Sequence, residues 1–239
     1  VLIDKEGNPL RKSIIWCDSR AVGIGQKAYE EIGAEICDTH LLNSPSNFTA
    51  SKLKWVKENE PEIYAQIYKM MLPGDYIAYK LSGVVNTTVS GLSEGIFWDF
   101  KKDAIAGLVL DQYGLDKEMI PDIVDTFSVQ SKVDEKGASE SGLSTGTPIL
   151  YRAGDQPNNA LTLNDFNPGE VAATGGTSGV VYAVTDNLSV KESSRVNNFA
   201  HVNYSPGKPA RIGKLLCING AGIQYRWLLN NLDVASYRS

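Results

Sequence analysis

The sequence predicts an α/β protein in which a mixed sheet is covered by helices. Three observations carry that expectation. Apolar runs at helical spacing, started by Asp, Ser or Thr and stopped by glycine, alternate with short apolar runs bounded by turn residues. Beyond residue 165 the grammar changes to hairpin, third strand, glycine turn and helix, a βββα order. The 239 residues, 42% hydrophobic and 21% charged, are enough to bury a substantial core.

Val1–Asp4, a KEGNP turn and Ser13–Trp16 read as a hairpin, two apolar runs around turn residues. Asp18 or Ser19 is placed to cap a helix from Ala21 to Ile32. Thr49 or Ser51 caps a second helix carrying Leu53, Trp55 and Val56, and Pro61 restarts it. Met70–Leu72 reads as a buried strand, followed after Pro73-Gly74 by a helix over Asp75–Leu81 that ends at Gly83. A polar loop over Asn86–Ser93 leads to the run Ile96–Trp98, and a helix over Asp103–Tyr113 stops at Gly114. Ser131–Thr147, rich in Ser, Gly and charge, reads as a loop. Pro148–Tyr151 then forms a strand and Asp155–Leu163 a helix. Glu170–Thr174 and Val180–Val184 form a hairpin around Gly175–Gly179, Arg211–Ile218 a third strand, and Ile223–Leu232 the last helix. The switch near 165 divides the chain into domains over 1–165 and 166–239. The opening on Val1 in mid-strand and the close on Ser239 suggest a piece of a longer protein.

Bulk properties narrow the function. A net charge of -5 without a basic tract speaks against nucleic acid and anionic membrane surfaces as partners. Cys17, Cys37 and Cys217 are widely spaced and form no CxxC, as expected of reduced thiols in a cytoplasmic protein. His40 and His201 stand far from each other and from any cysteine, so no metal site is expected and a Ser-His-Asp triad has little to draw on. No apolar run approaches the roughly 20 residues of a membrane span.

The stretch Tyr151–Val184 holds the chemistry. Asp155 lies between Gly154 and Gln156 where a strand hands over to a helix, and helix capping alone would explain an Asp there. The same position suits a general base, because helix N–H groups favour an ionised carboxylate. Gln156, Asn158 and Asn159 add amides able to bond a polyol, though amides are also common in first turns. Gly175-Gly176-Thr177-Ser178-Gly179 offers backbone N–H groups and hydroxyls to a phosphate, but such hairpins are often only turns. Gly220-Ala221-Gly222 opens a helix whose N-terminus would be another anion site, with Gln224 in its first turn. Walker and protein-kinase motifs are absent. Trp16, Asp18 and Arg20 form either a capped helix with a surface ion pair or a sugar-binding wall, and Phe48-Thr49 with Lys52 and Trp55 either packs a helix or lines a site.

Six segments in order, IIWCDSRA (14–21), NFTASKLKWV (47–56), LPGDYIAYKLSG (72–83), AGDQPNNA (153–160), GEVAATGGTSGVVYAV (169–184) and INGAGIQYRWL (218–228), resemble the FGGY family of carbohydrate kinases. The resemblance runs from Val1 to about Leu232. It implies two actin-like ATPase, RNase-H-like domains with the site in the cleft between them, of which this chain holds part. It implies ATP and Mg²⁺ as cofactors and a small-molecule sugar as substrate, a ketopentose such as D-xylulose first, with glycerol, ribulose or gluconate as alternatives. A homodimer is compatible with it. Asp155 falls on the family's catalytic base, and Gln156 and Asn158 beside it on substrate contacts. Trp16, Asp18, Arg20 and Phe48 fall on segments that border the sugar pocket. Gly176, Thr177 and Ser178 fall on the hairpin near the ATP phosphates, and Gly220 and Gln224 on the turn and helix near the nucleotide. The family's Asp-x-Gly-Thr strand and Met-His-Gly motif are not matched here, the late adenine motif would lie beyond Ser239, and position 17 is Cys where many relatives carry Asn or Gln. A chain without those parts is expected to be inactive alone. Outside catalysis, the alternative is a sugar- or nucleotide-binding module of kinase-like fold.

Overall fold

The first strand finds a different partner from the one its sequence suggests. In a computed structural model, which describes residues 1–232, β1 (Leu2–Ile3) pairs antiparallel with β2 (Lys69–Met70). The Asp4–Asn8 turn does form, with Asn8 N–H donating to Asp4 Oδ1 at 2.7 Å, and it brings Pro9 back against Ile3. Ser13–Trp16 is not a strand. Lys52 Nζ bonds the Ile15 carbonyl at 2.8 Å, and Trp16 is 87% exposed. β-propensity alone does not make a strand of an apolar run that finds no sheet edge, and Ile15–Asp18 closes a turn instead, Asp18 N–H donating to the Ile15 carbonyl at 3.1 Å.

Helix α1 (Val22–Ile32) follows, and it is not capped by Asp18 or Ser19: Ala21 occupies the cap, with no side-chain hydrogen bond. α2 (Ala34–His40), α3 (Thr49–Asn59) and α4 (Pro61–Tyr64) come next, with Pro61 in the first turn as expected. α5 (Pro73–Ser82) ends on Gly83 at φ 69°.

Two segments read as loops are ordered. Residues 86–94 form β3 (Asn86–Thr87) and α6 (Val89–Glu94), buried along most of its length. The Thr88 hydroxyl caps α6 by accepting the Gly91 N–H at 3.1 Å, so the polar residues that suggest a loop are what starts the helix. Past β4 (Trp98–Asp99), β5 (Ala104–Ile105), α7 (Gly107–Tyr113) and β6 (Asp122–Ile123), the stretch 131–147 holds β7 (Ser131–Lys132) and α8 (Glu135–Ser141). Asp134 caps α8 through the Gly137 N–H at 2.6 Å.

β8 (Pro148–Ile149) pairs antiparallel with β7 and leads into α9 (Asp155–Thr162). The main sheet comprises β9 (Val171–Gly175), β10 (Gly179–Thr185), β11 (Val196–Ala200) and β12 (Ile212–Ile218), in the order β11-β12-β10-β9. β11 was not legible, because Val-Asn-Asn-Phe-Ala lacks an apolar alternation. The sheet is antiparallel rather than mixed; parallel pairing among the described residues is confined to β3 and β6. α10 (Gly222–Asn231) is the last element among the described residues, and the remainder of the expected last domain, 233–239, lies outside them.

Two cores result. The larger joins Leu41, Leu42, Val56, Ile96, Phe97 and Val109, while the smaller joins Ala160, Ala172, Tyr182, Val184, Phe199 and Leu215. By packing, α9 sides with the sheet. Phe48 touches both cores and meets Phe199 edge-on with ring centroids 6.0 Å apart. Polar bonds fasten the sheet to the helices: Asn198 N–H donates to Asn43 Oδ1 at 2.8 Å, and Ala200 N–H to Ser93 Oγ at 2.9 Å.

Candidate active site

Asp155 is the first residue of α9, not its cap; Gly154 takes that place. Its Oδ1 accepts the N–H of Gln156 at 2.8 Å, and Oδ2 has no partner among the described residues. The side chain is exposed. A carboxylate one residue inside a helix keeps the favourable field of the N-terminus while leaving an oxygen free. The Asp155 charge reaches Cys217 near the end of β12, where it adds to burial in pushing the thiol up. Ala160 of the same helix packs with Tyr182, Val184 and Leu215, so α9 lies against the sheet that carries the glycine turns.

Arg152 fixes the segment ahead of Asp155. Its guanidinium bonds Asp75 Oδ1 at 2.7 Å, Gln130 Oε1 at 2.6 Å and the Asn86 carbonyl at 2.8 Å, and it also reaches Asn86 Oδ1. Asp75 receives in addition the Thr87 hydroxyl at 2.8 Å. Burial pushes the Asp75 carboxyl up, and the Arg152 hydrogen bond only partly offsets it. Sequence reading missed Arg152, because its partners come from α5, β3 and the chain before β7.

The two glycine turns meet. Gly222 N–H donates to the Gly176 carbonyl at 2.9 Å and Ile223 N–H to the Thr177 carbonyl at 3.1 Å. A Cβ at Gly222 would lie 2.4 Å from that Gly176 oxygen, so only glycine permits the approach. The next N–H groups, of Gln224 and Tyr225, point to the Ala221 carbonyl. The start of α10 is thus a clamp on the hairpin, not the free anion site expected of it. At the hairpin tip, Gly176 N–H bonds the Ser178 carbonyl at 2.9 Å, while the N–H groups and hydroxyls of Thr177 and Ser178 have no partner among the described residues. Gly220 stands at the turn, near Gln224.

Trp16, Asp18 and Arg20 form a separate cluster. Arg20 Nε lies 2.9 Å from Asp18 Oδ1 and Nη2 lies 2.7 Å from Oδ2, and this pairing holds the Asp18 carboxyl below its ordinary range. The guanidinium lies 4.5 Å from the Trp55 ring, and Asn47 Nδ2 bonds the Asp18 carbonyl at 2.7 Å. No hydrogen bond or ion pair among the described residues joins this cluster to Asp155, Gln156 or Asn158.

Glu94, at the end of α6, escaped sequence reading. Its carboxyl lies against the backbone of Gly154, and burial, with the Asp155 and Asp75 charges, pushes it up to about 8. Nothing in the polar run over 86–94 signals this, because the contact is made only by the fold.

The fold is one that solved sugar kinases share. A xylulose kinase of Rhodospirillum rubrum superposes with a TM-score of 0.88 at 23% identity, over 99% of this chain and 47% of its own. The glycerol kinase of Plasmodium falciparum, solved with ADP, gives 0.85 at 19%, over 97% of this chain and 47% of its own. These likenesses show the fold: α/β, of the actin-like ATPase (RNase-H-like) type. The chain belongs to the FGGY family of carbohydrate kinases, whose N-terminal domain model matches residues 1–162. The xylulose kinase of Staphylococcus xylosus is 29% identical over 233 residues, 95% of this chain and 46% of that protein. The chain spans about half the length, or less, of the relatives it matches.

Proposed function

We propose that this chain is part of an ATP-dependent kinase for a ketopentose, D-xylulose first, with Asp155 as general base. The carrying observation is the Asp155 carboxylate, one oxygen held by Gln156 N–H and the other free, near the sheet whose glycine hairpin bears unpartnered donors. In this reading Asp155 accepts the proton of the attacking hydroxyl. The new bond from that oxygen to the γ-phosphorus forms as the bond to ADP breaks. Proton acceptance of this kind contributes about 10²–10⁴-fold. Gln156 and Asn158 orient the sugar from the first turn of α9. Trp16, Asp18, Arg20 and Phe48 border its pocket. Gly176, Thr177 and Ser178 approach the phosphates, and Gly220 and Gln224 lie by the nucleotide. Residues 1–165 would form the sugar side of the cleft and 166–239 the start of the nucleotide side. Among the described residues no group of three or more His, Cys, Asp or Glu could hold a metal. The described residues alone therefore supply no cluster of ligands for the Mg²⁺ that would accompany ATP.

The test is coupled ADP release by the full-length protein on D-xylulose, ribulose, glycerol and gluconate. The reading expects the highest kcat/KM on D-xylulose. Preference for another acceptor corrects the substrate, and no ADP release with any of them favours a non-catalytic binding module.

A further inference from the structure

Glu94 is the last residue of α6, and it lies across the backbone just ahead of Asp155. Its Oε1 is 1.7 Å, and its Cδ and Oε2 are 2.3 Å, from the point a Cβ on Gly154 would occupy. Position 154 must be glycine while Glu94 keeps this place. No hydrogen bond or cation partners the carboxyl among the described residues, yet the residue is only partly buried. The charged and titratable groups around it are Asp75 of α5, Asp155 of α9, Tyr151 on the segment between, and Tyr182 of β10. Arg152, two residues before Gly154, is paired with Asp75.

A charged acid here is disfavoured by its surroundings. It opposes the dipole at the C-terminal end of α6, it is partly desolvated, and like charges face it. Those forces push its carboxyl up to about 8, so near neutral pH it is largely a neutral acid with one O–H donor and a free acceptor oxygen. Unpartnered groups held at a cost beside a reacting carboxylate are a mark of binding sites. The Tyr151 hydroxyl, buried without a partner and stacked on Phe127 with centroids 5.0 Å apart, adds a second unsatisfied donor nearby.

We propose that Glu94 contacts the sugar, donating and accepting hydrogen bonds with hydroxyls next to the one Asp155 deprotonates, and so helps select the acceptor polyol. The inference rests on the kinase reading above. It makes Glu94 a binding and specificity residue that acts as an uncharged acid.

The experiment measures acceptor and ATP KM for full-length wild type, Glu94→Ala and Glu94→Gln, from pH 6.5 to 9. Glu94→Ala should raise the acceptor KM about tenfold or more, the scale of one buried hydrogen bond, and leave the ATP KM within about twofold. Glu94→Gln, neutral and still a donor, should keep the acceptor KM within about threefold at pH 7. It should also abolish the rise in that KM which wild type shows as pH passes 8. Thermal melts at pH 8.5 verify folding, with Glu94→Gln expected to melt higher than wild type. An active wild type whose acceptor KM is indifferent to Glu94→Ala overturns the inference alone. A wild type that releases no ADP with any acceptor overturns the kinase reading and the inference with it.

Discussion

His201 shows how a single buried residue ties the sheet to the segment that follows α9. Its Nε2 faces the Asp165 carbonyl at 2.9 Å and must carry the ring proton, so Nδ1 accepts the Tyr182 hydroxyl at 2.9 Å. The ring is fully buried, and burial pulls its pKa down to about 4 from 6.5. Between those values the unfolded chain binds the proton and the folded one does not. Stability is therefore full above pH 6.5 and is lost as pH falls toward 4, by about 3 kcal/mol at ~1.4 kcal/mol per unit. Urea melts from pH 7.5 to 4.5 should show this slope, and His201→Gln should flatten it. No such property could be read from an isolated His in the sequence. Asp155 could, because a lone acid between Gly and Gln after an apolar run stands out locally. Glu94 could not, because its meaning comes from Gly154, far along the chain and adjacent only after folding.

The elements show the same division. The glycine turns at 175–179 and 220–222 were visible as turns, since glycine is the local signal. Their docking was not, because a hydrogen bond from Gly222 to Gly176 depends on how β12 returns beside β10. Gly222→Ala should separate them: the added methyl meets the Gly176 carbonyl, and relief by backbone shift costs about 1–3 kcal/mol. Calorimetry on full-length protein should find nucleotide binding weakened about tenfold, with sugar binding little changed. α6 and α8 were read as loops for the opposite reason. Their Ser and Gly content lowers helix propensity, but capping by Thr88 and Asp134 and tertiary packing outweigh it.

At the scale of the whole molecule, the α/β class was legible because the hydrophobic periodicity of helices and strands is a local property of the sequence. The antiparallel order of the main sheet was not, since pairing depends on contacts between distant segments. What joins the parts is polar and buried. Arg152 connects the approach to Asp155 with α5, β3 and Gln130, and Asp75 beneath it is almost fully buried. Arg152→Met leaves that carboxylate without its cation and should destabilise by about 3–5 kcal/mol. Adding Asp75→Leu to it should restore much of the loss, as read by denaturant midpoints. The reverse, an additive loss in the double variant, would show that the pair is not coupled.

The central claim is that Asp155 takes the proton of the attacking sugar hydroxyl. Its most direct test is steady-state ADP release by full-length Asp155→Asn, with nucleotide affinity measured on the same preparation. The account predicts turnover lower by about 10²–10⁴-fold, the scale of a general base, with ATP affinity within about twofold of wild type. Turnover within a few-fold of wild type would contradict it.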